Sequence, residues 1–344
     1  MIFGIWVRQL SSLLILSMCA PLLVLACAKS ELMQADTTQK PSAASKISES
    51  ENIQILLAST DISVGSNRIV FGLMDSSEGL LRDVDIEVST FYLSEKGPSE
   101  PVETMDATYR QWPSSNTGVY TITADFEIPG EWGLAMKIVG SKPQPSFSSV
   151  AIQVAEFSNT PSVGSIAPPS INKTIDKVVS IDQLTSDLNP DPDLYKITVS
   201  EAIHSSIPSL VIFATPAFCS TSTCGPQVQV LKMLKDMYSH RANFIHIEVW
   251  DNPHEIEGNI ANGKLSPILD EWGIQTEPWS FVLDSYGIVS SKFEGFATEQ
   301  ELSEALKTTL FETLIEDPKK RMEFLNGTIE KCKTERKAEE RAKE

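Results

Sequence analysis

Residues Leu210 to Gln227 read LVIFATPAFCSTSTCGPQ. The stretch opens inside an uninterrupted apolar run, Ser209 to Ala214, of the kind found in strands whose two faces are both covered. It closes on Pro226, a residue suited to the first position of a helix, and Val230, Leu231, Leu234, Met237 and Tyr238 follow at helical spacing. Between strand and helix stand Cys219 and Cys224. Three readings of the pair are open: a reactive dithiol, a structural disulfide, or half of a metal site. The four small polar residues Ser220 to Thr223 let the turn curl until the two Cα atoms come within the ~4.4–6.8 Å that a disulfide requires. A bridge across so short a loop removes little chain entropy, so stapling alone is a weak reason to place two cysteines here. Main-chain N–H groups and the dipole at a helix start stabilise the thiolate that attacks disulfides. The dithiol is therefore the preferred reading. The Gly225-Pro226 helix start nominates Cys224 as the attacking sulfur and strand register nominates Cys219; the first is preferred.

Downstream, NFIHIEVW is a second buried strand, SPILDEWG a short helix, and WSFVLD with IVSSKFEG a hairpin turned at Tyr286-Gly287. TEQELSEALKTTLFETL is a closing helix with Thr298 as its cap. Upstream, Asp187 to Pro192 is extended, and Ser200 is expected to cap a short helix running to Ser205 before Ile207-Pro208 ends it. The order from Ser209 onwards is βαβαββα.

That order resembles the thioredoxin fold across roughly Ile181 to Leu314. The carriers are the turn bearing Cys219 and Cys224, the WGIQTEP run (Trp272 to Pro278) leading to the third strand, and Gly287 and Gly295. The resemblance implies thiol-disulfide exchange through Cys219 and Cys224, with Pro278 in a cis peptide beside the sulfurs as a third site residue. The chain departs from the family's pattern in three ways. The usual C-x-x-C is here Cys219-x4-Cys224, Gln227 stands where Cys-Gly-Pro-Cys has its second cysteine, and Ile212 occupies the place of the buried acid that assists proton transfer. Peroxiredoxins need P-x-x-x-T-x-x-C, which Pro216, Thr221 and Cys224 miss by one. Copper-delivering redoxins of the Sco type need C-x-x-x-C and a late histidine, yet no histidine follows His254. His246 is expected in the core and His254 in a solvated loop. No metal site and no cofactor are expected.

The N-terminal half has another grain. From 52 to 157, short β-prone runs (NIQILLA, RIVFGLM, DVDIEVSTFYL, GVYTITADFEI, WGLAMKIVG, SSVAIQVAEF) alternate with Gly, Pro, Asn and Ser, which predicts an antiparallel sandwich. Gly118 to Ile138 resembles the last hairpin of the immunoglobulin-like domains of the FixH and YtkA type. Some of that group bind copper, but Met74, Met105 and Met136 are scattered and all four histidines lie at 204 or later. Trp112 and Trp132 are expected as buried sandwich aromatics. The Pro- and Ser-rich segment 158–180 reads as a linker. The fold class is thus multidomain: an all-β immunoglobulin-like sandwich (52–157) followed by an α/β thioredoxin-like domain (181–315).

The ends set the compartment. Arg8 precedes an apolar run that ends at Val24-Leu25-Ala26-Cys27, which resembles the bacterial lipobox; residues 1–26 are expected to be an export signal and Cys27 a lipidated N-terminus. Residues 27–51 are polar and read as a disordered tether. Residues 316–344 form a charged helical tail carrying Cys332, the odd cysteine of an exported chain. The net charge of -18 excludes nucleic acid and electrostatic adhesion to anionic lipid. The expected protein is lipid-anchored in the cell envelope. Its expected partners are other exported proteins with thiols or disulfides, and its membrane contact is the anchor. The rival class is a binding or scaffold lipoprotein in which the Cys219–Cys224 disulfide is structural.

Overall fold

The computed structural model describes residues 53–93, 100–113, 116–140 and 144–316, with side chains described as far as 311. The export signal, Cys27, the tether, the charged tail and Cys332 lie outside the described residues. All described residues belong to one compact unit, and no described helix is long and apolar enough to cross a membrane.

The alternating runs of the first half become two antiparallel sheets. One has the order β1 (Ile53–Leu57), β2 (Gly65–Asp75), β7 (Gly118–Phe126), β6 (Thr108–Gln111), with β3 (Gly79–Leu80) also on β2. The other has the order β5 (Glu103–Asp106), β4 (Asp85–Tyr92), β8 (Gly130–Val139), β9 (Ser146–Val154). Period two does the work on β8, where Trp132, Leu134, Met136 and Ile138 are buried between less buried neighbours. They meet Ile69, Phe71, Tyr120 and Ile122 of the first sheet in one apolar cluster. β3, β5 and β6 are too short and polar to show a pattern in the sequence.

The second half keeps the expected order: α1 (Val199–Ile203), β10 (Ser209–Ala214), α2 (Cys224–Tyr238), β11 (Asn243–Glu248), α3 (Ile268–Glu271), β12 (Trp279–Leu283), β13 (Val289–Glu294) and α4 (Glu299–Glu316). Its sheet runs β11-β10-β12-β13, parallel between β10 and β11 and antiparallel elsewhere. β10 is apolar throughout because each face has its own core. Leu210, Ile212 and Ala214 face the side covered by α2 and α4. Val211 and Phe213 face the side covered by α1 and α3.

Three details differ from the sequence reading. α1 is capped by Thr198, not Ser200: Thr198 and Glu201 form a reciprocal capping box, and the helix ends at Ile203. α2 begins at Cys224 with Thr223 as its cap residue, so Cys224 is the first helical residue rather than the one before the helix. Met237 is exposed, and Val228 takes the inward place.

The two halves are joined by buried polar contacts. Arg68 of β2 donates from Nε to Glu301 Oε1 (2.9 Å), from Nη1 to Glu294 O (3.0 Å) and from Nη2 to Phe296 O (3.0 Å). Thr60 donates its N–H (2.8 Å) and its hydroxyl to the Glu294 carboxylate. Lys292 lies 3.2 Å from Asp61. Trp132 is buried in the sandwich, whereas Trp112 packs against the α2/α4 core of the other half. The segment 158–180 is held at several points: Ser158 and Thr160 bond Asp61, Gly164 and Ala167 donate to the β12–β13 hairpin, and Ala167 is buried in the α1/α3 core.

Candidate functional site

The site is assembled where β10 ends. Phe218 N–H donates to Thr215 O, closing the first turn after the strand, and Ala217 N–H donates to Ser186 Oγ (3.1 Å). Ser186 in turn donates from both N and Oγ to Glu248 Oε2, each at 2.8 Å. Glu248 is buried at the end of β11, and that burial raises its carboxyl above the ordinary range despite its donors. The turn therefore rests on a floor of polar groups contributed by two elements distant in sequence.

Cys219 and Cys224 are joined in a disulfide with a Cα–Cα distance of 5.9 Å, inside the range expected from the curl of the loop. Within the loop Ser222 has φ 61°, a left-handed conformation uncommon for serine. Thr221 and Thr223 hydroxyls pair at 2.7 Å, and Thr221 Oγ1 lies 3.3 Å from Cys219 Sγ. The two sulfurs are not equivalent. Cys224 is fully buried, while Cys219 is partly exposed and its Sγ accepts from the Cys224 main-chain N–H at 3.3 Å. Because Cys224 opens α2, that N–H is one of the orphan donors of a helix start, and the positive end of the dipole is aimed at Cys219. The sequence preferred Cys224 as the sulfur favoured by the helix; in this geometry the Cys224 N–H at the helix start is given to Cys219 Sγ, five residues earlier.

The Glu277–Pro278 peptide is cis, and Pro278 is buried at the start of β12, with its carbonyl accepting from Gly295 N–H at 2.9 Å. The preceding Thr276 donates from Oγ1 to Glu294 Oε1 (2.9 Å) and accepts from Trp279 Nε1 (3.0 Å). Glu277 is half-buried, and one of its carboxylate oxygens and the two sulfurs all lie within 4.8 Å of one another. Burial raises its carboxyl above the usual glutamate value, against a hydrogen bond from Ser220 N–H. Gln227 is buried in α2 and accepts from Ala297 N–H at 2.8 Å, tying the helix to the segment after β13.

The structure thus gathers Cys219, Cys224 and the Glu277 carboxylate around one point, with Pro278 next to Glu277 along the chain. Cys27 lies outside the described residues. Sequence reasoning missed Glu277, Glu248 and Gln227 as parts of the site, although Glu277 sat in the quoted run beside Pro278. Cys219, Cys224 and Glu277 would offer two thiolates and a carboxylate to a divalent ion such as zinc only with the disulfide opened. His246 belongs to the core: its Nδ1 meets Tyr195 OH at 2.6 Å, its Nε2 lies 3.1 Å from Ala214 O, and burial lowers it to about 4. His254 is exposed.

No family model matches the chain, and no curated protein matches it. Among solved structures it is similar to a thioredoxin-family thiol:disulfide interchange protein of Chlorobium tepidum, at 18% identity over 32% of this chain and 84% of that one, with a TM-score of 0.27. A DsbE-like thiol:disulfide interchange protein of the same organism gives 13% identity over 33% and 86%, with a TM-score of 0.28. The PKD domain of the human VPS10 domain-containing receptor SorCS2 gives 12% identity over 40% and 96%, with a TM-score of 0.18. At these scores the likenesses add no weight to the sheet order described above.

Proposed function

We propose that this chain is an envelope lipoprotein, anchored through Cys27, whose thioredoxin-like half exchanges disulfides with other exported proteins and whose immunoglobulin-like half holds it off the membrane. The observation that carries the reading is the asymmetry of the pair. A partly exposed sulfur receiving a helix-start N–H is placed to attack, and a fully buried sulfur bonded to it is placed to resolve. Pro278 fits the edge of such a site, since it follows the residue whose carboxyl lies beside both sulfurs. The anchor and the envelope location rest on residues 1–27 of the sequence.

The experiment is a pair of single substitutions in the full chain. With Cys219 as attacker, Cys224→Ser accumulates disulfide-linked partners, Cys219→Ser accumulates none, and alkylation of the reduced protein near neutral pH is fastest at Cys219. The rival scaffold reading predicts that neither variant traps a partner and that the wild-type disulfide has a potential below about -300 mV, resisting millimolar thiols. Intact mass of the membrane fraction tests the anchor: loss of residues 1–26 with added acyl chains supports it, and an unmodified Cys27 overturns it.

A further inference from the structure

We infer that Glu277 is the proton-transfer group of the exchange reaction, supplied from the loop before Pro278 instead of from the central strand. The inference rests on the proposed function and deepens it. On the central strand Ile212, where the resemblance to thioredoxins would put a buried acid, is apolar, fully buried and in the same core cluster as Cys224, so it moves no proton. Yet Cys224 is fully buried as well, and the solvent cannot readily take its proton or return one. Among the described residues, Glu277 is the acidic group whose carboxylate falls within 4.8 Å of both sulfurs. It is only half-buried, so its far side reaches water.

The other charged groups on the adjoining elements are engaged elsewhere, the buried Glu248 of β11 with the N–H and hydroxyl of Ser186. On β13, Glu294 is bonded to Thr60 and Thr276, and Lys292 is paired with Asp61. Glu301 of α4 is paired with Arg68. On the sulfur side, the groups facing Glu277 are Cys219, Cys224 and the Ser220 N–H. A carboxyl held above its ordinary range by burial is a stronger base than a free glutamate and closer to the operating pH, which favours transfer.

The steps balance as follows. Cys219 thiolate attacks a partner disulfide, forming a Cys219–partner S–S bond and expelling one partner thiolate, which is protonated. Cys224 thiol gives its proton to the Glu277 carboxylate; its thiolate attacks Cys219 Sγ, forming Cys219–Cys224 and releasing the second partner thiolate, which takes the proton from Glu277. The chain loses two electrons and the partner disulfide gains them. In the opposite direction Glu277 in its acid form protonates Cys224 as it leaves.

Glutathione disulfide serves as the probe. The reduced full chain is mixed with it, quenched with acid at intervals, and the Cys219–glutathione adduct is followed by mass. In the wild type the adduct forms and decays, and the decay rate, followed across the acid and neutral range, has a carboxylate inflection above the ordinary glutamate range. In Glu277→Gln the adduct forms at nearly the same rate, decays about 100-fold more slowly, and loses the inflection. Glu277→Asp, which keeps the carboxyl, recovers part of the rate and the inflection. Unchanged decay in Glu277→Gln, or a wild-type profile with no carboxylate inflection even where that variant fails to fold, overturns the inference while leaving disulfide exchange standing. A wild-type chain that forms no adduct and whose disulfide resists dithiothreitol overturns both.

Discussion

Lys292 and Asp61 form a partly buried pair in which the two charges fare differently. Burial opposes ionisation of Asp61, but Ser158, Thr160, Lys292 and Asn159 N–H together bring it to about 2, whereas burial pulls the Lys292 ammonium below its ordinary value even with Asp61 opposite. Asp61 is therefore the member that gains. Its folded pKa lies below the unfolded 3.8, so the stability it contributes is present above about pH 4 and is lost as the pH falls towards 2. The size is about 2 kcal/mol, less the cost of burying Lys292. Asp61→Asn should flatten the acid limb of the stability profile in that window, as read by urea unfolding at stepped pH; an unchanged limb would remove Asp61 from the account. At this scale the sequence was partly legible. Cys219, Cys224 and Pro278 lie in short contiguous motifs that announce themselves. Glu277 and Glu248 do not, because their importance is a distance to groups in another loop, and a lone glutamate carries no mark of what will fold against it.

Among the elements, periodicity was the reliable signal and terminal geometry the weak one. The apolar runs of β2, β8, β10 and β11 could be read directly, since a strand covered on one face alternates and one covered on both does not. Thr198 was overlooked in favour of Ser200 because both are good cap residues; only the partner three positions on, Glu201, separates them. Thr298 caps α4 with the same reciprocal pattern, its hydroxyl and N–H both meeting Glu301 and Glu301 N–H returning to Thr298 Oγ1 at 3.2 Å. Thr298→Ala is expected to cost about 1 kcal/mol in equilibrium unfolding. Gly273 shows why the segment after the sandwich is more than a spacer. It has φ +61, and a Cβ there would run into the main-chain carbonyl of Asn159, so the turn leading to Pro278 and the segment from 158 share one space. Gly273→Ala should destabilise by roughly 2 kcal/mol or more, from strain and clash together, and slow the proposed disulfide exchange by displacing the loop. A thermal midpoint within a degree or so of wild type would contradict this.

Composition marks the molecule as two pieces with a linker, but Arg68 makes the pieces answer to each other. Its guanidinium is spent entirely on the other half, on the Glu301 side chain and the carbonyls of Glu294 and Phe296, and it also lies 5.6 Å from the centre of the Phe293 ring. Nothing in the sequence around position 68 points across more than two hundred residues, which is why the contact was illegible. The Arg68–Glu301 side chains are only 10% and 8% exposed; without Arg68, Glu301 keeps Arg110 at 3.5 Å and the Thr298 donors, while the Glu294 and Phe296 carbonyls lose theirs. Arg68→Ala is expected to cost on the order of 2–3 kcal/mol and to split one calorimetric transition into two as the halves uncouple. A single transition with unchanged midpoint would show the halves coupled by other means. Glu294 extends the coupling to the chemistry, because one carboxylate receives hydroxyls from Thr60, at the start of the sandwich, and from Thr276, two residues before Pro278. The halves cannot part without leaving that buried anion short of donors. In mechanical terms the halves are coupled rather than two beads on a string: a pull on the sandwich reaches the loop before Pro278 through Glu294, as displacement.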